Sequence, residues 1–210
     1  MTFDETQVEE SLARRVRHGD GVAFTVLTTR YWNAVHRIGL NMLGNPIQAG
    51  KLAEETFRTA LRSSAAFPPG VSFRTSLYRV AITEALVQGH SSPANGDRLL
   101  ATFLPKFDAA GDFVAEGVDW SERDETAFDS PRVEIHIRET LQRLEPLDRA
   151  AFLLREIEQL PEEEAAEVLQ ISPQRVRDRV HRAALILTGA LGELFRGIPA
   201  EDGPAARRLH

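Results

Sequence analysis

Apolar residues return every three or four positions over most of this chain, and the breaks between such stretches carry residues that end and start helices. Val8, Leu12 and Val16 form a first stripe that stops at Gly19. Asp20 is placed to cap a long second helix whose inner face is Phe24, Leu27, Tyr31, Val35, Ile38 and Met42. Gly44 and Asn45 end that helix, and Pro46 opens a third with Ile47, Leu52, Phe57, Ala60 and Leu61 inward. The run Phe67, Pro68, Pro69, Gly70 is incompatible with a helix interior and predicts a rigid loop. Ser72 then caps a fourth helix with Phe73, Leu77, Val80 and Ala81 on its buried side. The spacing thus predicts four helices between about Glu5 and Gln88.

The period is lost from His90 to Pro131, where glycines, prolines and acids dominate, so this stretch reads as a linker. Phe103, Phe107, Phe113, Trp120 and Phe128 punctuate it, and aromatics at that density predict docking rather than a free coil. Helical periodicity returns from about Arg132 to Arg196, and the tail rich in Gly, Pro and Ala after Gly197 predicts mobility.

Within the second periodic block, residues Pro161 to Arg182 change from acidic to basic across a short polar turn. Ala165, Ala166, Val168 and Leu169 give the first helix its apolar face, and Glu162 to Glu164 sit in its opening turn, where carboxylates suit the positive end of the dipole. Gln170, Ile171 and Ser172 make the break. Ser172 caps the next helix and Pro173 occupies its first position, where a missing N–H costs nothing. Val176, Val180, Ala183 and Leu187 then face the core, while Arg175, Arg177, Arg179 and Arg182 project outward. This is the pattern of a helix-turn-helix whose second helix suits the DNA major groove. A solvated amphipathic helix pair is the plainer alternative on this segment alone.

Charge bears on that reading only locally. The chain carries a net charge of -6, which argues against a DNA binder until the charges are located. Phe107 to Asp129 hold eight Asp and Glu against one Arg, whereas Pro173 to Arg182 hold four Arg against one Asp. Zero cysteines exclude disulfides and the usual structural zinc sites, and fit a reducing cytoplasm. No apolar run approaches the roughly 20 residues that span a bilayer, and the N-terminus lacks a signal-peptide pattern, so a soluble protein is expected. Catalytic signatures are missing: no phosphate-binding glycine loop, no His-Glu-x-x-His and no nucleophile elbow. His36, His136 and His181 lie inside helical patterns and read as structural or surface residues. Neither an enzyme, nor a metal site, nor a cofactor is assigned.

The run from Leu144 to Ala183 resembles the C-terminal promoter-binding domain of the extracytoplasmic-function sigma factors of bacterial RNA polymerase. It carries the DRAAFLLREIE helix and, from Val176 to Ala183, the family's V-[KR]-x-R-[LV]-x-R-A core. Leu12 to Asn45, Leu52 to Phe57 and Phe73 to Ala81 are similar to the family's N-terminal polymerase-binding domain. The resemblance implies an all-α protein of two small helical domains, residues 1–90 and 132–196, joined by an acidic linker over 91–131 and followed by a mobile tail over 197–210. It implies a cytoplasmic transcription initiation factor whose partners are core polymerase, promoter DNA and an anti-sigma factor.

Carried onto this chain, Ser172, Gln174, Arg175, Arg177, Arg179 and Arg182 would read the duplex minus 35 element. Arg58, Arg62, Arg74 and Arg79, beside the loop from Ser63 to Ser72, would take unpaired bases of the minus 10 element, and Lys51, Leu52, Glu54, Glu55 and Phe57 would meet the polymerase clamp. The chain departs from the family in having Lys51 for Asp, Glu54 for Gln, Ser76 for Trp, Ile82 and Thr83 for Arg-Asn, and Val87 for Asp, with Gln88, Gly89 and His90 where basic residues usually follow. The alternative expectation is therefore a degenerate sigma-like interaction protein that binds DNA or an anti-sigma partner but initiates poorly. A response regulator with a similar helix-turn-helix is disfavoured because no βα alternation precedes it.

Overall fold

A computed structural model describes residues 3–62, 67–68, 70–89 and 131–196. The regular elements among them are all helical: α1 (Phe3–Arg17), α2 (Gly21–Leu43), α3 (Pro46–Arg62), α4 (Phe73–Gln88), α5 (Pro131–Arg143), α6 (Pro146–Phe152), α7 (Glu162–Leu169) and α8 (Pro173–Arg196), with a π-helical turn, Leu153–Ile157, continuing α6. The expected linker, its aromatics and the tail lie outside the described residues.

The helix starts follow the side chains that satisfy orphan amides. Asp20 Oδ1 accepts from the Val22 and Ala23 amides at 2.9 and 3.0 Å, and Arg15 Nε donates to its other oxygen at 2.8 Å. The Ala23 amide first, then Arg15, hold this carboxyl below its ordinary value of 3.8. Its stabilisation is therefore present above that value and lost as pH falls through the lowered pKa. Asn caps about as well as Asp but does not titrate. Asp20→Asn is expected to change stability little at neutral pH and to flatten the acid-unfolding limb below about pH 4. Circular dichroism across an acid titration measures this, and an unaltered acid limb would place the sensitivity elsewhere. Asn45 does more than end α2: its Oδ1 accepts from the Ile47 and Gln48 amides at 2.9 and 3.1 Å and so starts α3. Gly44, at φ 69, supplies the left-handed residue that closes α2. Ser72 Oγ accepts from the Thr75 amide at 3.0 Å, as the sequence predicts.

Leu27, Val35, Ile38, Leu52 and Leu77 are fully buried between α2, α3 and α4. The helices α2 and α3 approach closely at Gly39, where an added Cβ would lie 3.1 Å from the Ala49 Cα. Three expected core positions face solvent instead: Val8, Ile47 and Leu61 are each more than half exposed. In α1 Val16 is buried as expected, and Glu9 turns inward in place of Val8, its buried carboxylate accepting a hydrogen bond from the Tyr31 hydroxyl. Burial, and then Glu9, push the Tyr31 hydroxyl far above its ordinary pKa.

The chain divides into two compact units, one of Met1–Ser92 with Pro146–Val180, the other of Pro93–Glu145 with His181–His210. The first joins α1 to α4 with α6, α7 and the start of α8, because α7 packs on α4 and one apolar core runs from Leu27, Tyr78 and Ile82 to Leu154, Ala165, Val168 and Val176. This grouping differs from a division at residues 90 and 132. In the second unit Val133, Leu141, Ile186, Ala190 and Phe195 are buried, and His136 Nε2 donates to the Ala190 carbonyl at 3.0 Å.

Candidate nucleic-acid interface

The turn between α7 and α8 is built as the sequence implies. Gln170 takes the left-handed conformation at φ 55, and its amide and that of Ile171 both turn back to the Ala166 carbonyl. Ser172 Oγ accepts from the Arg175 amide at 3.4 Å, a long cap, and Pro173 opens α8. Val176, Ala183 and Leu187 are buried and Val180 is half-buried, which fixes the rotation of the helix. Ser172, Gln174, Arg175 and Arg177 are then exposed together on its first two turns.

Arg177 donates to Glu162 through Nε at 3.2 Å and Nη2 at 2.8 Å. That guanidinium holds the Glu162 carboxyl below its ordinary range. Such an exposed pair contributes little to stability and is readily exchanged for a phosphate. Gln174 Nε2 donates to Asp178 at 2.9 Å.

Arg179 corrects the sequence reading. Its guanidinium turns back and donates to Asp148 at 2.7 Å, and that carboxylate is completely buried at 0% exposure. Four residues separate Arg175 from Arg179, a little more than one helical turn, and the extra rotation with the buried acid brings Arg179 inward. Arg182 is half-buried.

The other expected residues divide by exposure. Lys51 and Glu54 are exposed on α3 and Glu55 is half-exposed, but Leu52 and Phe57 belong to the core, with Phe57 stacked on Trp32 at 5.9 Å. A buried Leu52 or Phe57 holds α3 in place and is not available to a partner. Arg58 pairs with Glu55, and Arg62 is exposed one turn on. Arg74 and Arg79 are half-buried beside α7: Arg74 Nη2 donates to Glu164 at 2.5 Å, and Arg79 Nη2 to the Glu167 carbonyl and carboxylate at 3.1 and 3.4 Å. Ser76 and Ile82 are both interior. Ser76 lines a small pocket of about 50 Å³ beside Phe67, Phe73 and Val71, and its Oγ has no hydrogen-bond partner among the described residues.

Two residues of consequence escaped the sequence reading. Glu158, with a side chain 4% exposed, accepts from Arg37 at 2.7 and 2.9 Å and from the Tyr78 hydroxyl at 3.1 Å. Burial first, then the Glu158 charge, push the Tyr78 hydroxyl up. Arg149 is buried and donates to the Met42 carbonyl at 2.6 Å, and burial pulls its guanidinium down to about 10, so it stays charged at neutral pH. No periodicity marks Glu158, because the π-helical turn before it shifts the register that a regular helix would have.

Residues 136–187 match the family model described as Sigma-70, region 4, so the helix-turn-helix is of the sigma-70 type. The chain is 31% identical over 191 residues to the RNA polymerase sigma-H factor of Pseudomonas aeruginosa, covering 90% of this chain and 96% of that one. It is 30% identical over 194 residues to the ECF RNA polymerase sigma-E factor of Haemophilus influenzae, covering 91% and 99%. The chain belongs to the extracytoplasmic-function RNA polymerase sigma factors. Its fold is shared with the sigma factor RpoE of Bartonella quintana, solved in complex with the anti-sigma factor NepR, at a TM-score of 0.56 and 17% identity over 80% of this chain and 96% of that one. As a family member it is a transcription initiation factor.

Proposed function

We propose that the chain carries RNA polymerase core to promoters by dividing the work between its segments. Residues 132–196 read the duplex minus 35 element through Ser172, Gln174, Arg175 and Arg177, with Arg182 at the far edge of the DNA-facing surface. Residues 1–90 meet the polymerase through the exposed Lys51 and Glu54 and the half-exposed Glu55 of α3. They also receive the unpaired minus 10 strand on Arg58, Arg62, Arg74 and Arg79, with the pocket beside Phe67 and Ser76 next to the strand's path. Residues 91–131 tether the two. The protein acts by binding and catalyses no reaction itself. It works in the cytoplasm, and no described helix is long and apolar enough to cross a membrane. An anti-sigma protein restrains it, a role supported by the complex in which the related fold was solved.

The observation that carries this reading is the exposed face of α8. Arg175 and Arg177 stand free of the core on a helix whose start is capped and whose buried side is fixed. Base edges and phosphates in a major groove suit such a face. Arg177→Ala is expected to keep the fold and, by neutralising one phosphate fewer, to flatten the dependence of log affinity on log salt by about 0.9. Titration of a selected promoter duplex in a salt series measures it. Initiation itself is tested by transcription with purified core polymerase. A chain that binds promoter duplex yet yields no transcript would favour the degenerate, interaction-only alternative, for which the interior Ser76 and Ile82 speak.

A further inference from the structure

The exposed face of α8 carries an acid among its arginines. Gln174, Arg177 and Asp178 lie three and four residues apart, so they share one side of the helix, and all three are exposed. The arginines that flank Asp178 in sequence donate to other acids, Arg177 to Glu162 and Arg179 to Asp148. Asp178 accepts from the Gln174 carboxamide at 2.9 Å. Only the amide nitrogen of Gln174 can donate to a carboxylate, so this bond fixes which end of the carboxamide faces Asp178. It leaves Oε1 and the second N–H of Gln174 for another partner.

On a surface that meets DNA an acid is unfavourable, because the phosphates repel it. Only a base edge can offset that repulsion, and the bases differ in what they offer. Guanine presents the acceptors N7 and O6 and thymine the acceptor O4, all of which repel a carboxylate. Adenine places its acceptor N7 next to the N6 amino group, whereas cytosine offers the N4 amino group as a donor. A carboxylate has about four lone-pair sites, so accepting from Gln174 leaves capacity for a base amino group as well. Gln174 matches adenine, accepting from N6 and donating to N7. Four residues advance about 6 Å along a helix. Base steps are about 3.4 Å apart, so the two side chains meet different base pairs.

We propose that Asp178 is a specificity-determining residue of the duplex contact, selecting cytosine through its N4 amino group, and that Gln174, oriented by Asp178, selects adenine at a neighbouring pair. The inference rests on the reading of α8 as the helix that enters the major groove of the minus 35 element. Arg177 then supplies affinity by holding a phosphate, and the pair of Gln174 and Asp178 supplies the choice of sequence.

The full chain assembled with core polymerase, presented with a duplex library randomised across the upstream contact, is expected to enrich a site with cytosine at one position and adenine close by. Against single-base substitutions of the enriched duplex, that cytosine should be favoured by about tenfold or more, the worth of one good base contact. Asp178→Ala should remove the preference at this position and leave the others, while affinity for duplex of random sequence rises about twofold because one acid fewer faces the phosphates. Asp178→Asn, which donates as well as accepts, should move the preferred base there from cytosine to adenine. Gln174→Ala should remove the adenine preference and weaken the cytosine preference. Both positions are exposed, so each variant should melt like the parent protein by circular dichroism.

An unchanged preference at every position in both Asp178 variants would overturn the proposal. So would a loss of affinity spread evenly over all duplex sequences, which is what a purely structural role for Asp178 predicts. If either result came with a flatter salt dependence in Arg177→Ala, α8 would still be the DNA-binding helix and only the assignment of Asp178 would fall. Enrichment of no sequence at all, with Arg177→Ala binding duplex as the parent does, would remove the reading of α8 and the proposal together.

Discussion

Arg179→Ala is expected to destabilise the protein by about 3 kcal/mol, whereas Arg177→Ala, two residues away, leaves stability nearly unchanged. Both are arginines of one recognition helix, and their difference lies in the acid each meets. Arg177 pairs with Glu162 at an exposed position, where solvent screens the charges and water takes over when the pair is broken. Arg179 meets Asp148, which is entirely buried, and its removal takes a charge-assisted hydrogen bond of 2.7 Å away from a carboxylate in the interior, where water does not replace it. The effect should appear as a lowered midpoint in urea with an unchanged slope. Asp148→Asn in the Arg179→Ala background should recover part of the loss, because a neutral amide needs no counter-charge. If Arg179→Ala melts like the parent protein and instead weakens only DNA binding, the buried pair is not what holds α8, and the outward placement expected from the sequence would return.

The reason the sequence misplaced Arg179 also marks how far such reading reaches. Helix starts were legible because the caps are chemical: Asp20, Ser72 and Pro173 stand where they are needed, and the structure uses each of them. The buried stripe of α2 was legible because Leu27, Tyr31, Val35, Ile38 and Met42 repeat at one period over a long helix. At the helix ends a stripe is only one residue deep, and there Val8, Ile47 and Leu61 came out exposed. The candidate site was legible only as far as it consists of local pattern. Arg175 and Arg177 follow from the spacing within α8. The partners that turn Arg74, Arg79 and Arg179 inward lie 90, 88 and 31 residues away in sequence, and nothing local announces an ion pair across such a distance. Glu158 was hidden twice, by its distance from Arg37 and by the π-helical turn that shifts its direction.

On α3 the same distinction between core and surface separates two outcomes that the family pattern alone would merge. Phe57→Ala is expected to cost about 4 kcal/mol, since it empties a site where the ring stacks on Trp32 at 5.9 Å and meets the edge of Phe24 at 6.4 Å. Leu52→Ala, at 0% exposure, should cost about 3 kcal/mol for the same reason. Loss of polymerase binding in either variant would then follow from loss of the fold, and thermal melting beside a binding assay separates the two. Lys51→Asp with Glu54→Gln should behave in the opposite way. Both positions are exposed, so stability should change by no more than about 0.5 kcal/mol. On the proposed contact of this face with the polymerase, affinity for core should rise, because the substitutions restore the charges that the resemblance to the family implies at these two positions. Competition between the variant and the unmodified chain for a limiting amount of core reads the difference directly. A variant that folds as well but competes worse would mean that Lys51 and Glu54 are fitted to a partner surface that differs from the family's usual one.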